Sequence, residues 1–170
     1  MVTDNDRAVR WPARYAPGTA PVHVRNELEM DVPIDHVWAW LIRAQLWPTW
    51  YPNSADVTFL QGSPPDLSAG TRFRWKTFNV SLESTVLEFV PRQRIAWDAR
   101  GFGVDAYHAW VIAPAPRGSY VLTEETQHGW LARLGSIVLP WRMHKYHQIW
   151  LEQLRDNAAR GLPPAAYPSG

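Results

Sequence analysis

Val104-Asp-Ala-Tyr-His-Ala-Trp-Val-Ile-Ala-Pro114, then Ala-Pro-Arg-Gly118, then Ser-Tyr-Val-Leu-Thr-Glu-Glu-Thr-Gln127 reads as two strands folded back on each other. β-branched and aromatic residues crowd the first segment, and Pro114, Pro116 and Gly118 break it where the chain must reverse. A turn centred near Pro116 and Arg117 sets His108 opposite Glu125, with both side chains on one face of the sheet. A second turn at Phe102 and Gly103 sets Trp97 opposite His108. A row Trp97–His108–Glu125 is therefore expected across three neighbouring strands. After Gly129 the apolar period changes to three and four: Leu131, Leu134, Ile137, Val138, Trp141, His144, His147, Trp150, Leu151, Leu154 and Ala158. That spacing predicts an amphipathic helix of roughly thirty residues, kinked at Pro140 and stopped at Gly161-Leu-Pro-Pro164.

Upstream, the same punctuation marks further strands. Val22 to Met30 and Thr71 to Phe78 alternate, and Val57 to Gln61, Val80 to Val90 and Arg94 to Ala99 read as strands that run to turn signals. Short connections make the sheet antiparallel. Pro33 opens a short helix whose Val37, Trp38, Leu41 and Ile42 share a face, and Trp47-Pro-Thr-Trp-Tyr-Pro-Asn53 breaks it. The expectation is an α+β chain with a seven-stranded curved antiparallel sheet wrapped around a long C-terminal helix, with two short helices closing one end. Residues 1–21, carrying Pro12, Pro17 and Pro21, read as an extended arm with little helix. Residues 22–160 form the domain, and 161–170 a flexible tail.

Composition excludes several chemistries. Among 170 residues, 46% are apolar and 19% charged, which rules out wholesale disorder. The absence of cysteine removes disulfides, thiolate nucleophiles and Cys-ligated metals. A net charge of +1 gives no electrostatic reason to expect nucleic acid or an anionic membrane. No signal peptide or membrane-spanning run is visible, so a cytoplasmic location is expected. Phosphate-binding loops, the nucleophile elbow and the dinucleotide fingerprint are also missing. Eleven tryptophans stand out; they either fill a large core or line an apolar cavity.

Pro33-Ile-Asp-His-Val-Trp38, Trp50-Tyr-Pro52, Gly70-Thr-Arg-Phe-Arg-Trp75, Val86-Leu-Glu-Phe-Val-Pro91, Ile95-Ala-Trp97, Gly118-Ser-Tyr-Val-Leu-Thr-Glu-Glu125 and Gly129 occur in this order before the terminal helix. Their order and spacing resemble the START/Bet v1-like (SRPBCC) superfamily, in its polyketide cyclase/dehydratase-like branch, from about Val22 to Arg160. The resemblance implies a helix-grip fold with room between sheet and helix. It also implies a hydrophobic small-molecule ligand (lipid-, polyketide- or aromatic-like), and it leaves open whether such a protein is a carrier or an enzyme. On this expectation Trp50, Phe73, Trp75, Trp97, Trp110, Trp141 and Trp150 line the cavity, with His144 and His147 as polar anchors. In the alternative reading, a cyclase or dehydratase, His108 is the general base and Glu125 the carboxylate that orients it. The blander reading makes His108 and Glu125 a satisfied polar pair. His144 and His147 at i, i+3, with Glu125 or His108 as a third ligand, can serve a metal, but no metalloprotease motif accompanies them, so neither metal nor cofactor is expected. Arg72, Arg74 and Lys76 interleave with Phe73 and Trp75 as in any half-buried strand, which argues against a nucleic-acid platform. If the tryptophans fill the interior completely, a protein-interaction module without a ligand remains.

Overall fold

The computed structural model describes residues 7–138 and 141–165. Seven strands form one sheet: β1 (Val22–Met30), β2 (Ala55–Gln61), β3 (Arg72–Thr77), β4 (Val80–Val90), β5 (Arg94–Gly101), β6 (Val104–Pro114) and β7 (Ser119–His128). Their order is β1-β7-β6-β5-β4-β3-β2, and every neighbouring pair is antiparallel. Five hairpin connections and one long crossover, from β1 to the far edge at β2, generate this order. The crossover carries α1 (Ile34–Ile42) and α2 (Trp47–Trp50). The helix-grip fold inferred from the sequence is the fold observed.

The long terminal helix is divided. The described residues form α3 (Trp130–Val138) and α4 (Arg142–Ala158), and the expected kink at Pro140 lies outside them. Gly129 adopts φ +106 between β7 and α3, and a Cβ there would collide with the Gly103 carbonyl. Only glycine lets α3 begin against the β5–β6 turn, where Leu131 N donates to Gly103 O at 3.0 Å. The two helices do different work. His147, Trp150, Leu151, Leu154 and Ala158 of α4 are buried, as the periodicity requires, whereas Leu134, Ile137, Val138 and Trp141 are exposed. An apolar stripe specifies a face, and on α3 most of that face points away from the core.

Trp47 sits at the centre of the core. Its ring lies 5.3–5.9 Å from those of Phe73, Trp75, Trp97 and Trp150, and its Nε1 donates to Leu41 O at 2.9 Å. Edge-to-face and tilted contacts dominate, which is the arrangement ring quadrupoles favour.

The N-terminal arm has a structural task. It contains short 3-10 turns at Ala13–Tyr15 and Pro17–Thr19, contrary to a purely extended reading, because the prolines fix φ at values a 3-10 turn also uses. Tyr15 is buried on the outer face of the sheet, stacked on Tyr107 at 5.3 Å. Its hydroxyl donates to Asp105 at 2.7 Å, and its carbonyl accepts from Thr126 Oγ1 at 2.8 Å. Trp11 adds a second ring against Tyr107. Ala106–Ala113 of β6 and Ser119–Thr126 of β7 are therefore buried on both faces.

The expected flexible tail is docked at its start. Trp40 Nε1 donates to Gly161 O at 2.8 Å, Arg43 donates to Pro164 O, and Pro163 is buried; residues 166–170 lie outside those described.

Trp47→Ala should cost about 3–5 kcal/mol in urea unfolding, and Trp141→Ala should stay within about 0.5 kcal/mol of wild type.

Candidate functional site

β5, β6 and β7 pair in the register that the turns imply. Trp97 faces His108, and His108 faces Glu125. All three side chains point toward α4, which adds His147 and, one turn later, Trp150. His147 Nε2 donates to Glu125 Oε2 at 3.1 Å, and His108 Nδ1 lies 3.3 Å from the same oxygen. The second carboxylate oxygen accepts from Gln127 Nε2 at 2.6 Å. His108 Nε2 is hydrogen-bonded to Thr123 Oγ1 at 2.7 Å. Thr123, rather than Glu125, thus makes the aligned hydrogen bond to His108, and Glu125 is bonded chiefly to His147 and Gln127. The expected proximity of His108 and Glu125 is present, and His147, Gln127 and Thr123 enlarge that pair into a wider cluster. Thr123 and Gln127 were missed, although strand alternation puts both on the face of Glu125.

The cluster is shut away from water, with His108 and His147 each 2% exposed. Burial drives His108 down to about 3, against the opposing pull of Glu125. Burial alone would raise Glu125, but His108, His147 and Gln127 outweigh it and draw the carboxyl down to about 2. At neutral pH the cluster therefore holds an ionised Glu125 and a neutral His108.

Donor atoms of His108, Glu125 and His147 lie within 4.8 Å of one another, as metal ligands would. The ring planes argue otherwise for this arrangement. The imidazoles are stacked, with centroids 4.8 Å apart and planes within 3° of parallel. A metal–imidazole bond lies in the ring plane, and two stacked parallel planes share no point where one ion can sit at about 2.0–2.1 Å from both nitrogens. The geometry is that of a hydrogen-bonded cluster.

The space between sheet and α4 is small. A cavity of about 20 Å³, room for about one water molecule, is lined by Tyr51, Trp97, His108, Glu125, His147 and Trp150 among others. Phe73, Trp75, Trp97, Trp110 and Trp150, expected to line a ligand cavity, instead pack against one another and fill it. The side-chain N–H groups of Trp97, Trp110 and Trp150 and the Nδ1 atom of His147 are buried without hydrogen-bond partners. Trp50 packs on the far side against Trp40 and Tyr51. Trp141 and His144 lie at the surface, and the His144 carbonyl accepts from Asn26 at 3.2 Å. The structure thus brings His108, Glu125 and His147 together and leaves His144 and Trp141 outside.

The larger apolar pocket lies next door, about 310 Å³ between α3, the start of β1 and the β3–β4 turn. Thr77, Phe78, Leu82 and Gln127 line both it and the small cavity, so they form the partition between them. Phe78 and Asn79 adopt φ +50 and +62, a two-residue turn whose first position strains an aromatic residue. Asn53 Oδ1 accepts from Phe78 N at 2.8 Å, Tyr146 meets the Phe78 ring edge-on at 5.2 Å, and Arg142 lies over it at 4.7 Å. Phe78 of the partition is therefore braced by α4 and by the loop after α2. Nothing in the sequence pattern marked it.

The family described as polyketide cyclase/dehydrase and lipid transport matches residues 21–163. No curated protein matches the chain. Among solved structures, hypothetical protein jhp0584 from Helicobacter pylori is similar at 30% identity over 93% of this chain and 99% of that one, with a TM-score of 0.84. Protein CV1439 from Chromobacterium violaceum shares the fold at 17% identity, covering 85% and 99% of the two chains with a TM-score of 0.61. The di-domain ARO/CYC StfQ from the steffimycin biosynthetic pathway shares it at 14% identity and a TM-score of 0.67, over 82% of this chain and 51% of that one. No helix among the described residues is long and apolar enough to cross a membrane.

His108 and Glu125 are both depressed, so the stability they supply is present at neutral pH and lost on acidification. His108 begins to be lost as pH falls below its unfolded value near 6.5, at up to about 1.4 kcal/mol per pH unit; Glu125 follows below 4.5. The stability difference between wild type and His108→Gln in urea should shrink from pH 7 to pH 4.5. A flat difference would mean that His108 is not held neutral.

Proposed function

The chain belongs to the polyketide cyclase/dehydrase and lipid transport family, and from that membership we propose that it binds a hydrophobic small molecule in the pocket beneath α3. The observation that carries this proposal is the pocket itself. It is apolar, about 310 Å³ in volume, and separated from the Glu125 cluster only by Thr77, Phe78, Leu82 and Gln127. That volume falls at the lower end of small-molecule sites, which are mostly apolar with a few placed polar groups. The ligand's apolar body lies against Val22, Val24, Leu131 and Ala132, and a polar end reaches toward Gln127 and, past it, Glu125. This moves the ligand from the centre of the molecule, where the tryptophans leave no comparable room, to its rim.

The enzymatic alternative, a polyketide cyclase or dehydratase with His108 as base, draws on the same cluster and on the fold shared with the ARO/CYC protein StfQ. Its difficulty is chemical. An imidazole drawn down to about 3 and a carboxylate drawn down to about 2 are both weak bases at neutral pH, and Thr123 occupies His108 Nε2. Binding is favoured over turnover on that ground.

Gly135 lines the pocket, and a Cβ placed on it meets nothing within 4 Å. Gly135→Leu should therefore fill the pocket without a clash, while raising helix propensity by roughly 0.8 kcal/mol. The test is denaturing extraction with mass spectrometry, together with titration of a fluorescent fatty-acid probe. Wild type is expected to yield a lipophile and bind the probe, and Gly135→Leu to lose both. Equal probe binding by the two proteins would overturn the assignment. Glu125→Gln and His108→Ala should weaken binding only modestly; loss of a catalysed reaction with retained binding would favour the enzyme instead.

A further inference from the structure

Six of the nine large apolar side chains standing exposed among the described residues gather at one end of the molecule. Trp130, Leu134, Ile137, Val138 and Trp141 follow the spacing of one helical face, and Phe102 of the β5–β6 turn packs edge-on against Trp130 at 5.2 Å. Ile137 is 72% exposed and Val138 62%. The other face of α3, with Leu131, Ala132, Gly135 and Ser136, lines the pocket. The helix is thus apolar toward solvent and at once one wall of the ligand site.

A contiguous apolar face of this kind marks an interaction surface, and the charges around it select the partner. No Asp or Glu occurs between Glu125 and Glu152, while Arg133, Arg142 and Lys145 do. Lys145 Nζ lies over the Trp141 ring at 5.7 Å, and Arg142 sits above Phe78. Asp98 and Asp105, beside the Phe102 turn, are met by Arg100 and Arg14. The face therefore presents tryptophan and aliphatic side chains rimmed by cations that form no ion pair among the described residues. A second copy of the chain, docked about a two-fold axis, would press those cations toward their own counterparts. An anionic lipid surface neutralises them, takes the apolar side chains into its acyl boundary and suits indoles at headgroup depth. The net charge of +1, read from composition alone, conceals this local excess.

Building on the ligand-binding role above, we propose that α3 and Trp141 dock the protein on the surface of an anionic phospholipid bilayer, so that the pocket beneath α3 exchanges its ligand with the membrane. The helix lies in the interface and does not span it.

Co-sedimentation of the full chain with vesicles tests this, using phosphatidylcholine alone and phosphatidylcholine mixed with phosphatidylglycerol. The protein should pellet with the mixed vesicles only, and added salt should release it. Leu134→Asp with Ile137→Asp should abolish pelleting, and both positions are exposed, so urea unfolding should confirm a folded variant. Arg142→Gln with Lys145→Gln should weaken binding about 25-fold, roughly five-fold for each cation removed. The proposal fails if wild type ignores the mixed vesicles or if the double Asp variant pellets equally well. It also fails if the apolar face instead mediates a concentration-dependent dimer that the Asp variant dissolves. Probe binding in vesicle-free buffer separates the two ideas: probe binding without pelleting overturns membrane docking alone, and pelleting without probe binding overturns the pocket assignment.

Discussion

The seat of Trp150 is the contact on which the rest of the interior depends. Its ring stacks on Tyr51 at 4.3 Å and meets Trp47, Trp75, Trp97, Trp110 and His108 at 5.1–6.4 Å. One side chain from α4 thereby touches the segment after α2 and three strands of the sheet. Because the helix is rigid and His147 precedes Trp150 by three residues, seating the indole also fixes the imidazole over Glu125. Aromatic packing and the polar cluster are consequently one assembly. Removing the ring would loosen the carboxylate's donors as well as the core.

That assembly explains why the fold, which in principle leaves room between helix and sheet, leaves so little here. Large flat rings occupy the volume, and several of their N–H groups forgo hydrogen bonds to do so. Burying an unmet donor costs about 1–3 kcal/mol, which dispersion among closely packed rings must outweigh. The larger pocket lies outward instead, under a short helix of which only Ala132 is fully buried. The ionised Glu125 stays inside because donors from β7 and α4 converge on it, an arrangement with no slack for a second charge.

Much of the architecture was legible in the chain. Pro and Gly punctuation separated the strands, and short turns fixed the register so tightly that Trp97, His108 and Glu125 could be aligned by arithmetic. Orientation across an apolar helix was not legible. Leu134, Ile137 and Trp141 have the same three-and-four spacing as His147, Trp150 and Leu154, and periodicity does not say which stripe meets the core and which meets solvent. The filled cavity was also hidden, since eleven tryptophans fit a packed core and a lined pocket equally well. Thr123 and Gln127 escaped notice because alternation names a face without naming a hydrogen bond. The strained turn at Phe78 was invisible for a related reason: its conformation is imposed by Asn53 and α4, distant in sequence.

The arm that covers the outer face of β6 and β7 bears on the order in which the molecule is built. Tyr15 is bonded to Thr126, 111 residues later, and β1 finds its pairing partner only in β7. On the ribosome, the arm and β1 emerge well before β7, the last strand of the sheet, and must wait for it before either has anywhere to go. Throughout most of synthesis, Trp11, Tyr15 and the unpaired edge of β1 remain open to solvent and to neighbouring chains. Closure of the sheet's back is thus a late, long-range event. Slow topologies of this kind expose sticky intermediates to aggregation, and a nascent-chain chaperone would find its substrate in that waiting segment.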